Sequence, residues 1–272
     1  MKKIIHRILS NWPFFIFIRG SKQLVSFYEV RNTTIRNKEI DRELVSKYFQ
    51  ELQVVGGPFK GLKYHDAVAC GSTFVAKLAG TYECEIITFI DRIIEKKYNE
   101  IWDIGCAEGY YAVGLAQKIP GAKVIAFDID STAQAQCKKL SKSNNVEVDV
   151  RGECTAAEIN KNEFTNGLII SDCEGYELPL FSNVNVSELA LDYLIEIHEW
   201  PLENEVAGKI KLIFESTHTI SVINSISDLN KAHNFHGDLG LGNIPLIDRY
   251  NIVREGRGEE MQWFYCERKV IG

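Results

Sequence analysis

The sequence predicts an α/β fold, a mostly parallel sheet with helices on both faces, and two observations predict it. The first is alternation. From Ile101 onward, short apolar runs take turns with amphipathic stretches of helical period. Repeated strand–helix–strand units need crossover connections, and crossovers lay their strands parallel. The second is a pair of runs, I-W-D-I-G-C-A-E-G-Y-Y over 101–111 and V-I-A-F-D over 124–128. The first passes from an apolar strand through Gly105, Ala107 and Gly109 to a helix start, and the second closes on an acid, Asp128. Small side chains at such a turn let a ligand approach the backbone closely.

Taken in order, Thr33 to Gln53 interleaves charges with Ile35, Ile40, Leu44, Val45, Tyr48, Phe49 and Leu52, the spacing of an amphipathic helix. G-G-P-F-K-G over 56–61 ends it. Leu62 to Leu78 fits short strands or loop equally. Thr81 to Lys97 predicts a helix whose apolar face is Ile86, Ile87, Phe89, Ile90, Ile93 and Ile94, with Thr81 as its N-cap. Strands are expected at Ile101–Ile104, Lys123–Asp128, Val146–Val150, Gly167–Ser171, Leu191–His198, Thr219–Ile226 and Trp263–Arg268. Helices are expected at Tyr110–Lys118, Thr132–Lys142 and Glu203–Phe214. The last two strands lack a clear helix between them, which allows one antiparallel member. Asp228 to Gly258, rich in Gly, Asn, Asp and His, reads as a long loop over the strand ends.

Composition narrows the function. With 272 residues and 45% hydrophobic content the chain can bury a sizeable core. A net charge of -6 excludes a general nucleic-acid binder, which carries a basic excess. Seven cysteines without a C-x-x-C pair read as reduced thiols of a cytoplasmic protein, buried as small apolar side chains. At the N-terminus, Lys2, Lys3, His6 and Arg7 precede W-P-F-F-I-F-I, and Arg19 ends that run. It is too short to span a bilayer, which takes about 20 apolar residues. Residues 1–30 therefore pack on the body or a partner, or make peripheral contact with a membrane surface.

The glycine turn also discriminates between cofactors. A dinucleotide fold shows G-x-G-x-x-G around a pyrophosphate, whereas here the turn reads D-I-G-C-A-E-G. Asp103 and Glu108 beside a pyrophosphate would repel it. S-adenosylmethionine carries a sulfonium and an ammonium and no phosphate, so Asp103 near its methionine end and Asp128 on its ribose make electrostatic sense. The separation of 23 residues from Gly105 to Asp128 (128 − 105) is the length of a turn, a helix and a return strand.

On W-D-I-G-C-A-E-G-Y-Y, V-I-A-F-D, I-I-S-D-C-E-G-Y-E over 169–177 and L-I-E-I-H over 194–198, the chain resembles a class I S-adenosylmethionine-dependent methyltransferase of the FkbM-like family. Asp128 holds the place of the acid that ends that family's second strand. Asp172, Glu174, Gly175 and Glu177 match its D-x-E-G-x-E. Ala107 departs from the wider superfamily, which often has glycine there. The resemblance runs from about Tyr98 to Gly272. It implies a Rossmann-like seven-stranded sheet over 98–272, an N-terminal arm and helical cap over 1–97, and O-methylation of a sugar or secondary-metabolite hydroxyl. A small-molecule or carbohydrate acceptor, with no nucleic acid, goes with that reading.

The expected cofactor contacts are Asp103, Gly105, Ala107, Glu108, Gly109, Asp128 and Asp172. Ligands of open α/β sheets sit beyond the carboxyl ends of the strands, so Asp172 and His198 should share a crevice with Asp103 and Asp128. A hydroxyl acceptor must lose a proton, and a neutral imidazole is the usual base. His198 is the first candidate, oriented by Glu196 or Glu199; a structural, hydrogen-bonded His198 is the plain alternative. Asp172, Glu174, Glu196 and His198 could instead hold a divalent metal with a substrate diol, a reading disfavoured because acids are common on such rims. Gly175 shapes the turn into the next helix. Tyr82 and Glu83 reach the cofactor pocket or merely follow a Thr81 cap, and one of Tyr110 and Tyr111 flanks the cofactor. H-N-F-H over 233–236 is a weak metal signal. Two rivals stay open, a nucleotide-cofactor oxidoreductase and a degenerate methyltransferase fold that serves as a binding or scaffold protein.

Overall fold

A computed structural model of the chain describes residues 36–49, 51–67, 69–70, 72–199, 205–234, 244–257 and 260–269. The arm over 1–30, Trp200 and His236 lie outside the described residues. Two compact units divide the chain, Met1–Lys47 and Tyr48–Gly272. A helix over 36–48 accounts for the described part of the first, inside the span expected from Thr33 to Gln53.

The second unit is built on a seven-stranded sheet: β1 (Glu100–Ile104), β2 (Lys123–Phe127), β3 (Asp149–Arg151), β4 (Gly167–Ser171), β5 (Leu191–Ile197), β6 (His218–Asn224) and β7 (Gln262–Arg268). Their spatial order is β3-β2-β1-β4-β5-β7-β6. β1 to β5 run parallel, and β7 runs antiparallel to both β5 and β6, so one late strand is indeed reversed. β4 and β5 are buried at every position, as sheet interiors covered on both faces must be. This is the α/β, Rossmann-like sheet with an N-terminal helix that the sequence predicts.

The helices form where local chemistry supports them. Ile87–Lys96 buries Phe89, Ile90 and Ile93. Ser131–Ser143 is capped by Asp130, whose carboxylate accepts the Thr132 N–H at 2.8 Å. The core on one face gathers Trp102 against Phe127 and Phe164, and Tyr193 against Phe181 and Phe214.

Three expectations are corrected. Thr81 does not cap the helix before β1; its hydroxyl donates to Ala76 O, and a short 3-10 turn at Cys84–Ile86 leads in instead. The ambiguous stretch before it holds a helix, Phe74–Ala79. The region expected as a long loop contains helices at Asp228–Asn234 and Leu246–Val253. Both are too short to show a helical period in sequence.

Strand order reverses between β1 and β4, which is where open α/β sheets bind ligands. Ile104 and Ser171, the last residues of these strands, are register partners, so the loops that follow them face each other.

Candidate functional site

The two loops touch through backbone. Gly105 has a φ of +82°, and a Cβ there would fall inside the carbonyl oxygen of Asp172. Gly109, at +93°, would place a Cβ 2.6 Å from Cys137 Sγ. The protein's own packing therefore requires both glycines, a demand separate from the approach of a ligand that the sequence suggests. Ala107 adopts the left-handed conformation with a φ of 49° despite its methyl group. Its N–H donates to Asp128 Oδ2 at 2.9 Å, which fixes the turn against the end of β2.

A cavity of about 860 Å³ opens over these loops, lined by Asp103, Gly105, Ala107, Asp128, Asp172 and His198 among others. The sequence places these six in one crevice, and the structure brings them together. Glu108 and Gly109 do not line it. Glu108 is instead 1% exposed and pairs with Lys77 at 2.5 Å, while accepting the Cys70 N–H at 3.0 Å. It anchors the segment before β1 onto the glycine turn. Cys70, Ser72, Lys77 and Tyr82 from that segment also reach the cavity, so residues before Tyr98 help to build it.

Asp103 is buried, and its Oδ2 accepts the Ala112 N–H at 2.9 Å. Burial pushes its carboxyl up to about 7, against the pull of that N–H and with a further push from Asp128. Asp128 accepts from Ala107 N and, at 2.8 Å, from Asp130 N. Each of its oxygens keeps a lone pair for another donor. Next to it, Ile129 lines the cavity with 85% of its surface exposed.

The other half of the cavity is crowded with carboxylates. His198 Nδ1 lies 3.0 Å from Glu177 Oε1, and that carboxylate already accepts the Cys173 N–H at 2.8 Å and the Gly175 N–H at 3.1 Å. The other ring nitrogen, Nε2, stands 3.5 Å from Glu174 Oε2, 3.7 Å from Asp172 Oδ1 and 3.9 Å from Glu196 Oε2. Burial works against the imidazolium, but the Glu177 hydrogen bond and charge, joined by Glu196 and Glu174, raise the His198 pKa above its ordinary value. An elevated pKa leaves less of the neutral imidazole that a general base requires. Burial, then Glu196 and Glu83, push Asp172 well above the usual carboxylate range.

One cation ties this half together. Arg257 bonds Glu196 through Nη1, Glu83 through Nη2 at 2.6 Å and Glu255 through Nε at 2.9 Å. Burial and then Glu196 push Glu83 up to about 8, with Arg257 opposing. Tyr111 donates its hydroxyl to the same carboxylate. Tyr82 and Tyr110 pack edge to face, and both rings lie near the Lys77 ammonium. Both tyrosines that follow the glycine turn line the cavity.

Sequence reasoning names neither Glu177 as the residue that orients His198 nor Arg257 at all. Glu177 was visible as the last member of D-x-E-G-x-E, four residues from Cys173, whose N–H it accepts. Arg257 is 174 residues from Glu83, and no local pattern reports that contact. Glu199, expected to orient His198, instead accepts the Val206 and Ala207 N–H groups at 3.0 and 3.1 Å and caps the helix Val206–Phe214. Gly175 has a φ of +98°, as a glycine-dependent turn requires, and Glu174 before it has a φ of 51°.

The family model for the methyltransferase small domain matches residues 87–172, from the helix before β1 to the acid after β4. Among solved structures, the chain is similar to an O-methyltransferase from Bacillus cereus in complex with SAH (12% identity, 65% of this chain and 77% of that one, TM-score 0.42). It is also similar to the O-methyltransferase TomG from Streptomyces achromogenes in complex with SAM (9% identity, 65% and 76%, TM-score 0.44). A third is the Pyrococcus abyssi tRNA (uracil-54, C5)-methyltransferase in complex with S-adenosyl-L-homocysteine, at 14% identity and a TM-score of 0.40. The match covers 66% of this chain but spans only 36% of that enzyme's length. No curated protein matches.

Proposed function

We propose that this chain is an S-adenosylmethionine-dependent methyltransferase of the FkbM-like kind, acting on an oxygen of a small-molecule or carbohydrate acceptor. One observation carries the reading. Asp103 and Asp128, at the ends of neighbouring strands, face one cavity whose lining Lys and Arg among the described residues, Lys77 and Arg257, are both committed to buried ion pairs. Such a pocket suits a cationic, phosphate-free cofactor. A pyrophosphate would meet two acids there and no uncommitted cation.

When bound, the donor supplies a methyl carbon already activated by a sulfonium. The residues provide position and charge. Asp103 pairs with the cationic end, and Asp128 accepts the ribose hydroxyls with its remaining lone pairs. Ile129 offers an apolar surface to the adenine. Gly105 and Ala107 hold the turn beneath, while His198 and Asp172 reach the acceptor hydroxyl and orient it. The same excess of carboxylates disfavours phosphorylated acceptors and RNA.

Labelled-methyl transfer tests this. Purified protein is offered neutral sugars and polyols, sugar phosphates, and tRNA. Label is expected on the uncharged acceptors, with strong loss in Asp103→Ala. Label on tRNA, or equal incorporation by both proteins, contradicts the reading.

A further inference from the structure

The position of the His198 ring poses a problem in charge. Glu177 fixes the ring from the Nδ1 side: as a carboxylate it can only accept, and it is itself buried and held by two backbone N–H groups. Nδ1 is then the donor, and the lone pair of the neutral ring sits on Nε2. That lone pair looks at three carboxylate oxygens, from Asp172, Glu174 and Glu196, at 3.5–3.9 Å. None of the three is close enough to be a hydrogen bond. Asp172 Oδ1 is buried and has no hydrogen-bond partner. Of the three carboxylates, Glu196 is already paired with Arg257, which leaves the oxygens of Asp172 and Glu174 gathered around Nε2.

Donor atoms that share one ion at about 2.1–2.4 Å lie roughly 3–4 Å from each other. The distances around Nε2 fall in that range. The ligand atoms of Asp172, Glu174 and His198 all lie within 4.8 Å of one another. A metal-binding histidine also donates its second ring nitrogen to a carboxylate, which here is Glu177. We infer that Asp172, Glu174 and His198 form a binding site for a divalent cation at the acceptor end of the cavity, with Glu177 orienting the imidazole.

The donor set fixes the class of ion. Carboxylate oxygens with one imidazole and no thiolate favour Mg²⁺ or Mn²⁺. Glu174 is the exposed arm of the site, with its side chain 83% exposed, whereas His198 is 13% exposed. The ion lies in the cavity and offers its open positions to acceptor oxygens, so vicinal hydroxyls would chelate it. This reverses the preference drawn from sequence. Composition makes acids on a sheet rim unremarkable, and only the geometry sets an imidazole lone pair among them. It also changes the part of His198 from base to ligand. The chelation of an acceptor rests on the methyl-transfer reading, but the ion site does not.

The test is Mn²⁺ binding by the full chain, followed by electron paramagnetic resonance of the free ion and by calorimetry, with S-adenosylhomocysteine titrated in parallel. One Mn²⁺ per chain is expected, competed by Mg²⁺, with affinity at least tenfold weaker in His198→Ala and in Glu174→Gln. The second variant alters an exposed side chain, so its fold is not at stake. Absence of stoichiometric Mn²⁺ binding, or equal binding by both variants and the parent, overturns the site and leaves a proton on Nε2 as the compensating charge. Mn²⁺ binding without S-adenosylhomocysteine binding would retain the site and reject the methyl-donor reading.

Discussion

Gly105 and Asp172 meet backbone to backbone, the first closing β1 and the second leaving β4, with no room for even a methyl group between them. The contact holds the loops that carry Ala107, Asp172 and Glu174 in one arrangement beside Asp103 on β1. The glycine is thus a structural joint of the site. Gly105→Ala is expected to destabilise the whole unit by about 3 kcal/mol, from the positive φ and the clash together. Urea denaturation measures it. A variant as stable as the parent, deficient only in ligand binding, would place the glycine back under the ligand.

Lys77 and Glu108 form an ion pair with both side chains almost fully buried. Removing one partner leaves the other charged and unpaired in a dry setting, so Lys77→Met is expected to cost roughly 3–5 kcal/mol. Lys77→Met combined with Glu108→Gln should cost less than the single change, because no bare charge is then buried. A double-mutant cycle by chemical denaturation reads the difference. Additive costs would mean that the pair does little to dock the 64–77 segment.

The Asp103 carboxyl, pushed up to about 7 by burial, links cofactor affinity to pH. A cationic ligand prefers the ionised form. Below about 7 that form must first be generated by loss of a proton, so affinity falls by up to about tenfold per pH unit as pH drops. Above 7 the profile levels, because the carboxylate is already ionised. Calorimetry with S-adenosylmethionine between pH 5.5 and 8.5 should show this bend. Asp103→Asn should bind more weakly and flatten it. A level profile in the parent would show that Asp103 does not face the cation.

Much of this architecture is readable from the chain. Tyr110–Lys118 and Gly167–Ser171 have the bounds expected of them, because a clean apolar period is flanked by glycine or polar breaks. Parallel order follows from alternation, and the crevice from acids and His198 at strand ends. What stays hidden is of two kinds. Helices of five to eight residues, such as Glu177–Phe181 and Leu246–Val253, are stabilised by tertiary packing and leave no period. Long-range partners are the other kind. Arg257 reaches Glu83 from a stretch held by Asp228, which accepts the Glu255 and Gly256 N–H groups, and by Lys231, buried between Glu85 and Glu255. The packing demand on glycines is hidden for a related reason: sequence shows that residue 105 is small but not that the Asp172 backbone meets it.

The most direct measurement is calorimetric titration of the purified chain with S-adenosylhomocysteine, beside Asp128→Asn and an NAD control. Asp128 is the acid assigned to the ribose, and its remaining lone pairs are what the cofactor's hydroxyls would use. One site per chain is expected in the parent, weakened at least tenfold by Asp128→Asn, with no heat from NAD. Saturable NAD binding without a response to S-adenosylhomocysteine would contradict the assignment of this cavity to a methyl donor.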